Sequence, residues 1–272
     1  MTKKKKDDSL VYLGKIIWFI LKIPYYIIKG IYNLIKWIVG VFKKEKVLSN
    51  RKRLNSKYEE FKVIQVLSGN YKKWIQEVCD SDSQIGIVLG SRGSGKTAFG
   101  IKLLENIHVR CKKKCYVMGF KEEEMPSWIN VISEISEIEN NSFVLIDEGG
   151  ILFNSRKAMS SANKILSDLI LISRHKNLSI LFISQNSSNL EINILRQADF
   201  LVLKHSSLLQ KEFERKIIQK FYEETEKSFE KFKDVQGLAY VYSNNFKGFI
   251  SNTLPSFWKE SISKSLESLK EI

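Results

Sequence analysis

Gly90-Ser91-Arg92-Gly93-Ser94-Gly95-Lys96-Thr97 matches the spacing GxxxxGK[ST] at every fixed position. The chemistry this spacing serves is phosphate binding. Glycines let successive backbone N–H groups close around phosphate oxygens, and a following helix N-terminus adds positive potential. Lys96 is expected to reach the β- and γ-phosphates and Thr97 to ligate Mg²⁺. Arg92 occupies a free position of the loop, facing phosphate or solvent. A plain Gly/Ser turn before a helix is the bland alternative. It leaves unexplained why strand, loop, lysine, hydroxyl and helix all fall in register.

A second set of residues completes the chemistry. In FVLIDE (143–148) four apolar residues make a buried strand, and Asp147 emerges at its C-terminal edge, where open α/β sheets bind ligands. Asp147 is expected to hold the Mg²⁺ shell and Glu148 to polarise an attacking water. A kinase has less need of that second carboxylate. The next strand ends in Ser184-Gln185, and the Gln185 amide is placed to touch a γ-phosphate or the water. Arg174 ends the helix before that strand. It is expected on the strand-tip side, where it could enter a neighbouring subunit's site as a finger; the alternative is a basic residue favourable to the helix dipole. Arg196 and Arg156 are weaker finger candidates. The expected catalytic set is thus Lys96, Glu148, Gln185 and Arg174, with ATP and Mg²⁺ as the groups bound.

The elements that must position these residues alternate strand and helix. Apolar, β-branched runs read as strands at 85–90, 114–120, 143–148, 178–184 and 199–204, with a terminal pair in LAYVY and FKGFIS. Helices are expected from the 90–97 loop to about His108, over 160–176, and as one long charged helix over 210–232. Residues 50–80 read as a polar connection with a helix around Tyr71–Val78. Strands separated by helices imply parallel pairing with right-handed crossovers. The expected fold class is α/β: a P-loop NTPase of the RecA-like type with a mostly parallel sheet flanked by helices.

GSRGSGKT, VLIDEGG, LISRHKNLSILFISQN and LRQADFLVLK together resemble the FtsK/HerA branch of P-loop ATPases. Within that branch they are most similar to viral genome-packaging ATPases and to the zonular-occludens-toxin-like assembly ATPases of filamentous phages. The resemblance covers roughly residues 84–252. It implies an oligomeric ring, expected to be a hexamer, that hydrolyses ATP to move DNA, with capsid or assembly proteins as further partners. Lys96, Thr97, Asp147, Glu148 and Gln185 would hold the roles given above. Two departures stand out. Asn177 occupies the place of the glycine common after the Arg-His step, and the apolar segment precedes the nucleotide domain, whereas the phage proteins carry theirs after it.

The net charge of +14 is unevenly spread. Residues 1–57 hold 15 Lys and Arg against 3 Asp and Glu, and the rest is nearly balanced. Lysines recur at 15, 22, 29, 36 and 43 between apolar blocks, a seven-residue period that keeps them near one line on a helix. Trp18 and Trp37 suit a lipid interface. Between Lys15 and Lys43 no Lys-free stretch reaches seven residues, which disfavours a signal peptide. A helix over 16–42 is about 40 Å long, enough to span a bilayer, but Lys29 would then sit mid-bilayer between two basic flanks. A helix lying in the cytoplasmic face keeps both flanks on the anionic leaflet and fits best. A spanning helix and a non-membrane oligomerisation helix remain the alternatives.

The layout read from these features is a membrane-association segment over 1–46, a connecting helical region over 47–83, the nucleotide domain over 84–255 and a C-terminal helix over 256–272. With 43% hydrophobic and 27% charged residues, the chain is neither disordered nor wholly membranous. Three cysteines without CxxC and three scattered histidines argue against a disulfide scaffold and a zinc site. Cys111 and Cys115 read as turn or buried thiols. Lys216 and Lys220 are possible DNA contacts on an otherwise solvated helix face. The functional expectation is a membrane-associated, DNA-translocating ATPase. A small-molecule P-loop kinase and a nucleotide-regulated membrane scaffold are the competing classes.

Overall fold

The computed structural model describes residues 24–36, 38–39, 54–147, 159–190 and 192–263; for 159–166 it describes the backbone alone. Glu148 and Arg156 lie outside the described residues, as do most of the segment expected to associate with a membrane and the end of the stretch expected as a C-terminal helix. The chain divides into two units, Met1–Asn50 and Arg51–Ile272.

In the first unit residues 24–36 form a helix, α1. Tyr25, Ile28, Ile31 and Ile35 on it are exposed, and Lys29 Nζ lies 5.9 Å from the centre of the Tyr25 ring. Among the described residues no helix is long and apolar enough to cross a membrane.

The second unit is a nine-stranded mixed sheet with helices on both faces. In chain order its elements are β1 (Lys62–Gly69), α2 (Tyr71–Asp80), β2 (Ile85–Leu89), α3 (Lys96–Cys111), β3 (Lys114–Met118), β4 (Ile129–Ile132) and β5 (Ser142–Asp147). Then come α4 (Met159–Lys176), β6 (Ser179–Ser184), α5 (Ile192–Gln197), β7 (Phe200–Leu203), α6 (Leu208–Phe213), α7 (Lys216–Lys231), β8 (Leu238–Ser243), β9 (Phe246–Ser251) and α8 (Glu260–Ser263). The order across the sheet is β1-β9-β8-β7-β2-β6-β5-β3-β4. From β7 to β4 every neighbour is parallel, and β8, β9 and β1 add an antiparallel flank. All residues of β2 and β6 are buried, as a parallel sheet covered on both faces requires. One core holds Trp74, Phe99 and Ile262 from α2, α3 and α8; the other holds Leu169, Ile194 and Tyr222 from α4, α5 and α7. Gly100 lets α3 approach the sheet closely, since a Cβ there would meet Ile183 Cδ1 at 2.8 Å and Leu145 Cδ1 at 2.9 Å.

Four features differ from the sequence reading. The region read as a helical connection contains β1 as well as α2. This strand pairs with β9 but is mostly exposed, and its register slips between Val63 and Gln65 and again between Val66 and Ser68. Each slip resets the alternation that would otherwise mark a strand. The short β4 extends the opposite edge. The long charged helix is two helices, α6 and α7. At the break the Glu214 carboxylate accepts from Ser187 N (2.8 Å) and Oγ, while Arg215 donates to the carbonyls of Ser187 (3.0 Å) and Leu190 (2.8 Å). A clamp to the loop after β6 thus interrupts a pattern that is helical throughout. Finally, Cys79 and Cys111 form a disulfide, because packing brings the ends of α2 and α3 together; Cys115 is a free, buried thiol.

Candidate nucleotide site

The glycine loop expected to bind phosphate runs from the end of β2 into α3. Gly93 and Gly95 have φ of 77° and 85°, and a Cβ on either would meet nothing within 4 Å. Their need for glycine is therefore conformational, and the space before them is clear for a close approach to backbone. Ser91 donates from both N and Oγ to the His205 carbonyl, each at 3.0 Å, tying the loop to the residues that follow β7. Lys96 is buried at the start of α3, and its Nζ donates to the carbonyls of Gly90 and Ser91, both at 2.8 Å. Burial pushes its pKa down to about 8, partly opposed by the Asp147 charge. Ser94 Oγ is buried without a hydrogen-bond partner inside the loop.

Thr97 Oγ1 lies 3.4 Å from Asp147 Oδ2. The two come from α3 and β5, and β6 lies between β2 and β5. A hydroxyl and a carboxylate from separate segments therefore converge beside the glycine loop, the oxygen donors a hard divalent cation takes. Gln185 follows β6, whose Ser184 pairs with Leu89 and Ile183 with Asp147. It therefore leaves the sheet between the loop and the acid. Its side chain is exposed, and its carbonyl accepts from Gln210 Nε2.

Arg174 does not lie on the strand-tip side. The helix α4 returns against the strand direction, so its last turn is at the opposite edge, where Asn141 N donates to the Lys176 carbonyl at 2.9 Å. Asp199, whose Oδ2 accepts from Ile85 N at 2.7 Å, is raised in pKa by burial, against lowering by that hydrogen bond and by the Arg174 charge. Arg174 thus stands near the start of β2, with the glycine loop at the other end, about 16 Å along a five-residue strand. Arg196, in the last turn of α5 before β7, belongs to the same edge as Arg174.

Sequence reasoning overlooked Lys204. It is fully buried at the end of β7, and its Nζ donates to the carbonyls of Gly237 (2.8 Å) and Leu238 (3.1 Å) and to Asn252 Oδ1 (2.9 Å). Burial pushes its pKa down to about 7. The only signal in the sequence is a lysine closing an apolar strand, which is indistinguishable from a solvated strand end.

The family profile described as zonular occludens toxin (Zot) matches residues 104–244, just over half of the 272 residues. The chain belongs to the Zot family. The match to Zot covers Asp147, Arg174 and Gln185 and begins after the glycine loop. Among solved structures, the genome packaging NTPase B204 from Sulfolobus turreted icosahedral virus 2, with AMP, is 15% identical at a TM-score of 0.43, covering 64% of this chain and 100% of that one. EssC (ATPases 2 and 3) from Geobacillus thermodenitrificans is 12% identical at 0.42, covering 81% and 51%. The N-terminal domain of zonular occludens toxin from Neisseria meningitidis is 16% identical at 0.31, covering 44% and 76%. At these scores they stand as distant likenesses. No curated protein matches.

Proposed function

We propose that this Zot-family chain is an ATPase, the subunit of a ring-shaped motor that moves DNA at a membrane in genome packaging or in virion assembly and extrusion. The observation that carries the nucleotide reading is the 3.4 Å approach of Thr97 Oγ1 to Asp147 Oδ2 beside a loop whose Gly93 and Gly95 leave clear space. ATP and Mg²⁺ fit that arrangement: residues 90–97 would hold the phosphates, and Thr97 and Asp147 the metal. Bound ATP supplies the γ-phosphoryl group transferred to water, and bound Mg²⁺ offsets its charge. Lys96 brings a buried positive charge to the same place. Glu148, next to Asp147 in the chain, takes the role of orienting and polarising the attacking water, and Gln185 contacts the water or the phosphate from the tip of β6. Arg174 is assigned to a neighbouring subunit's site.

Support for a homo-oligomer, a hexamer in the family reading, comes from Leu208, Leu209, Phe213 and Ile217. These four large apolar side chains are exposed on α6 and the start of α7, just beyond the loop bonded to Ser91. Exposed clusters of this kind mark protein contacts. The DNA substrate and the capsid or assembly partners follow from the motif resemblance. The exposed apolar residues and lysines of α1 support attachment in the plane of the cytoplasmic membrane face, with a single span as the alternative. The domain layout proposed is 1–46 for membrane association, 84–255 for nucleotide chemistry and 256–272 as a C-terminal helix, with the connecting stretch 47–83 contributing β1 and α2 to the sheet and core of the nucleotide unit.

The direct test is ATP turnover by the full chain with and without DNA. Turnover that rises on adding DNA is expected. Turnover indifferent to DNA would remove the translocation role, and no turnover in either condition would remove the enzyme reading.

A further inference from the structure

The loop after β7 joins the phosphate-binding loop to a cavity. On one side the His205 carbonyl receives both Ser91 donors. On the other, His205 to Lys211 and the facing side of α7 enclose a cavity of about 200 Å³. Two hydroxyls that line it, Ser206 Oγ and Tyr222 OH, are buried, in residues only 4% and 1% exposed, and each has at most the other as a hydrogen-bond partner. If the two paired with each other, one O–H would still lack an acceptor, because a single bond uses a single donor. Buried donors without acceptors are rare and costly unless something else uses them.

The rest of the lining narrows the choice of ligand. Phe229 forms one wall, and the His205 ring meets it edge-on at 6.3 Å. Of the charged groups in the lining, Lys211 and Glu226 are paired with each other, and Glu230 is paired with Lys233 at 3.0 Å. Apolar and aromatic surface with spare O–H donors suits a flat, uncharged ring system that carries acceptor atoms. The volume suits one such ring system better than a whole nucleotide. We infer that this cavity receives the nucleoside end of the nucleotide whose phosphates residues 90–97 hold, with Tyr222 and Ser206 donating to base or sugar acceptors. This inference rests on the phosphate-site reading above.

The test titrates the full chain with ATP and with inorganic tripolyphosphate, both with Mg²⁺. Wild type should bind ATP more tightly. Tyr222→Phe and Ser206→Ala should each weaken ATP binding about 3- to 10-fold, the worth of one neutral hydrogen bond, and leave tripolyphosphate binding unchanged. Tyr222→Phe should lower the melting temperature of the free protein little, since the hydroxyl removed has at most Ser206 as a partner there. Unchanged ATP affinity in both folded variants, or equal wild-type affinity for ATP and tripolyphosphate, overturns the inference while sparing the phosphate site. Failure of both ligands to bind wild type overturns the phosphate site and the inference with it. A second measurement needs no variant: 8-azido-ATP photolabelling of wild type should mark peptides within residues 205–230. Labelling confined to other peptides overturns the inference.

Discussion

Lys204 packs against Gly90 so closely that a Cβ added at Gly90 would lie 2.6 Å from the Lys204 Cβ and 2.8 Å from Ser94 Oγ. The first glycine of the loop is thus held against a buried lysine that anchors β8 and the residue after β9. Gly90→Ala should destabilise the fold by about 1–3 kcal/mol and abolish ATP binding, read by urea denaturation and titration. Gly93→Ala meets no neighbour and should cost less stability, with the strain of its positive φ as the remaining penalty.

Stability and nucleotide binding should respond oppositely to alkali. Burial holds Lys204 at about 7 and Lys96 at about 8, both below the ordinary 10.5. From about pH 7 upward the unfolded chain therefore holds more protons than the folded one at these positions. Their contribution to stability rises with pH until the unfolded lysines also deprotonate. Lys204→Met should flatten the part of that rise which begins near pH 7 and leave the part from Lys96. ATP binding should weaken as pH passes about 8, because Lys96 loses the charge that faces phosphate. Melting temperature and ATP affinity measured across the same buffers check both signs.

Lys96→Ala should weaken nucleotide binding. Glu148→Gln should bind ATP normally and lose turnover by several orders of magnitude, because polarising water acts on the transition state. Turnover undiminished in Glu148→Gln, measured by phosphate release, would remove that residue from the mechanism.

An arginine at the far edge of its own sheet can assist hydrolysis only in a neighbour's site. Turnover per subunit should therefore rise steeply with protein concentration, since a finger contributes about 10³–10⁵ in rate. Mixing the inactive variants Glu148→Gln and Arg174→Ala should restore part of the activity, through interfaces that pair an intact Glu148 with an intact Arg174. No recovery, with subunit exchange confirmed by native mass spectrometry, would take the finger away from Arg174.

The full chain should sediment with anionic liposomes, and a chain lacking residues 1–49 should remain in the supernatant. Release of the full chain by high salt is expected for a helix in the membrane plane, because such binding leans on charge attraction. Retention through both salt and carbonate washes would favour a spanning helix.

Much of the candidate site was legible in the sequence because its parts are local. Gly90 to Thr97 are contiguous, and the apolar runs ending at Leu89, Asp147 and Ser184 announce buried parallel strands whose C-terminal tips share one edge of the sheet. Thr97 and Asp147 could be expected to meet for that reason, and they do at 3.4 Å. Tertiary structure alone decided where Arg174 stands, since a helix crossing back over the sheet reverses which edge its last turn reaches. It also decided the fate of the charged stretch at 210–232. There the Glu214 and Arg215 clamp on Ser187 outweighs a helical periodicity that continues through both residues. The strand β1 hid behind two register slips on an exposed edge, and Cys79 met Cys111 only because α2 packs on α3. Lys204, Ser206 and Tyr222 fall where the sequence shows polar residues of a kind usually solvated. Their burial depends on which segments cover them, a long-range property that no local pattern of residue types encodes.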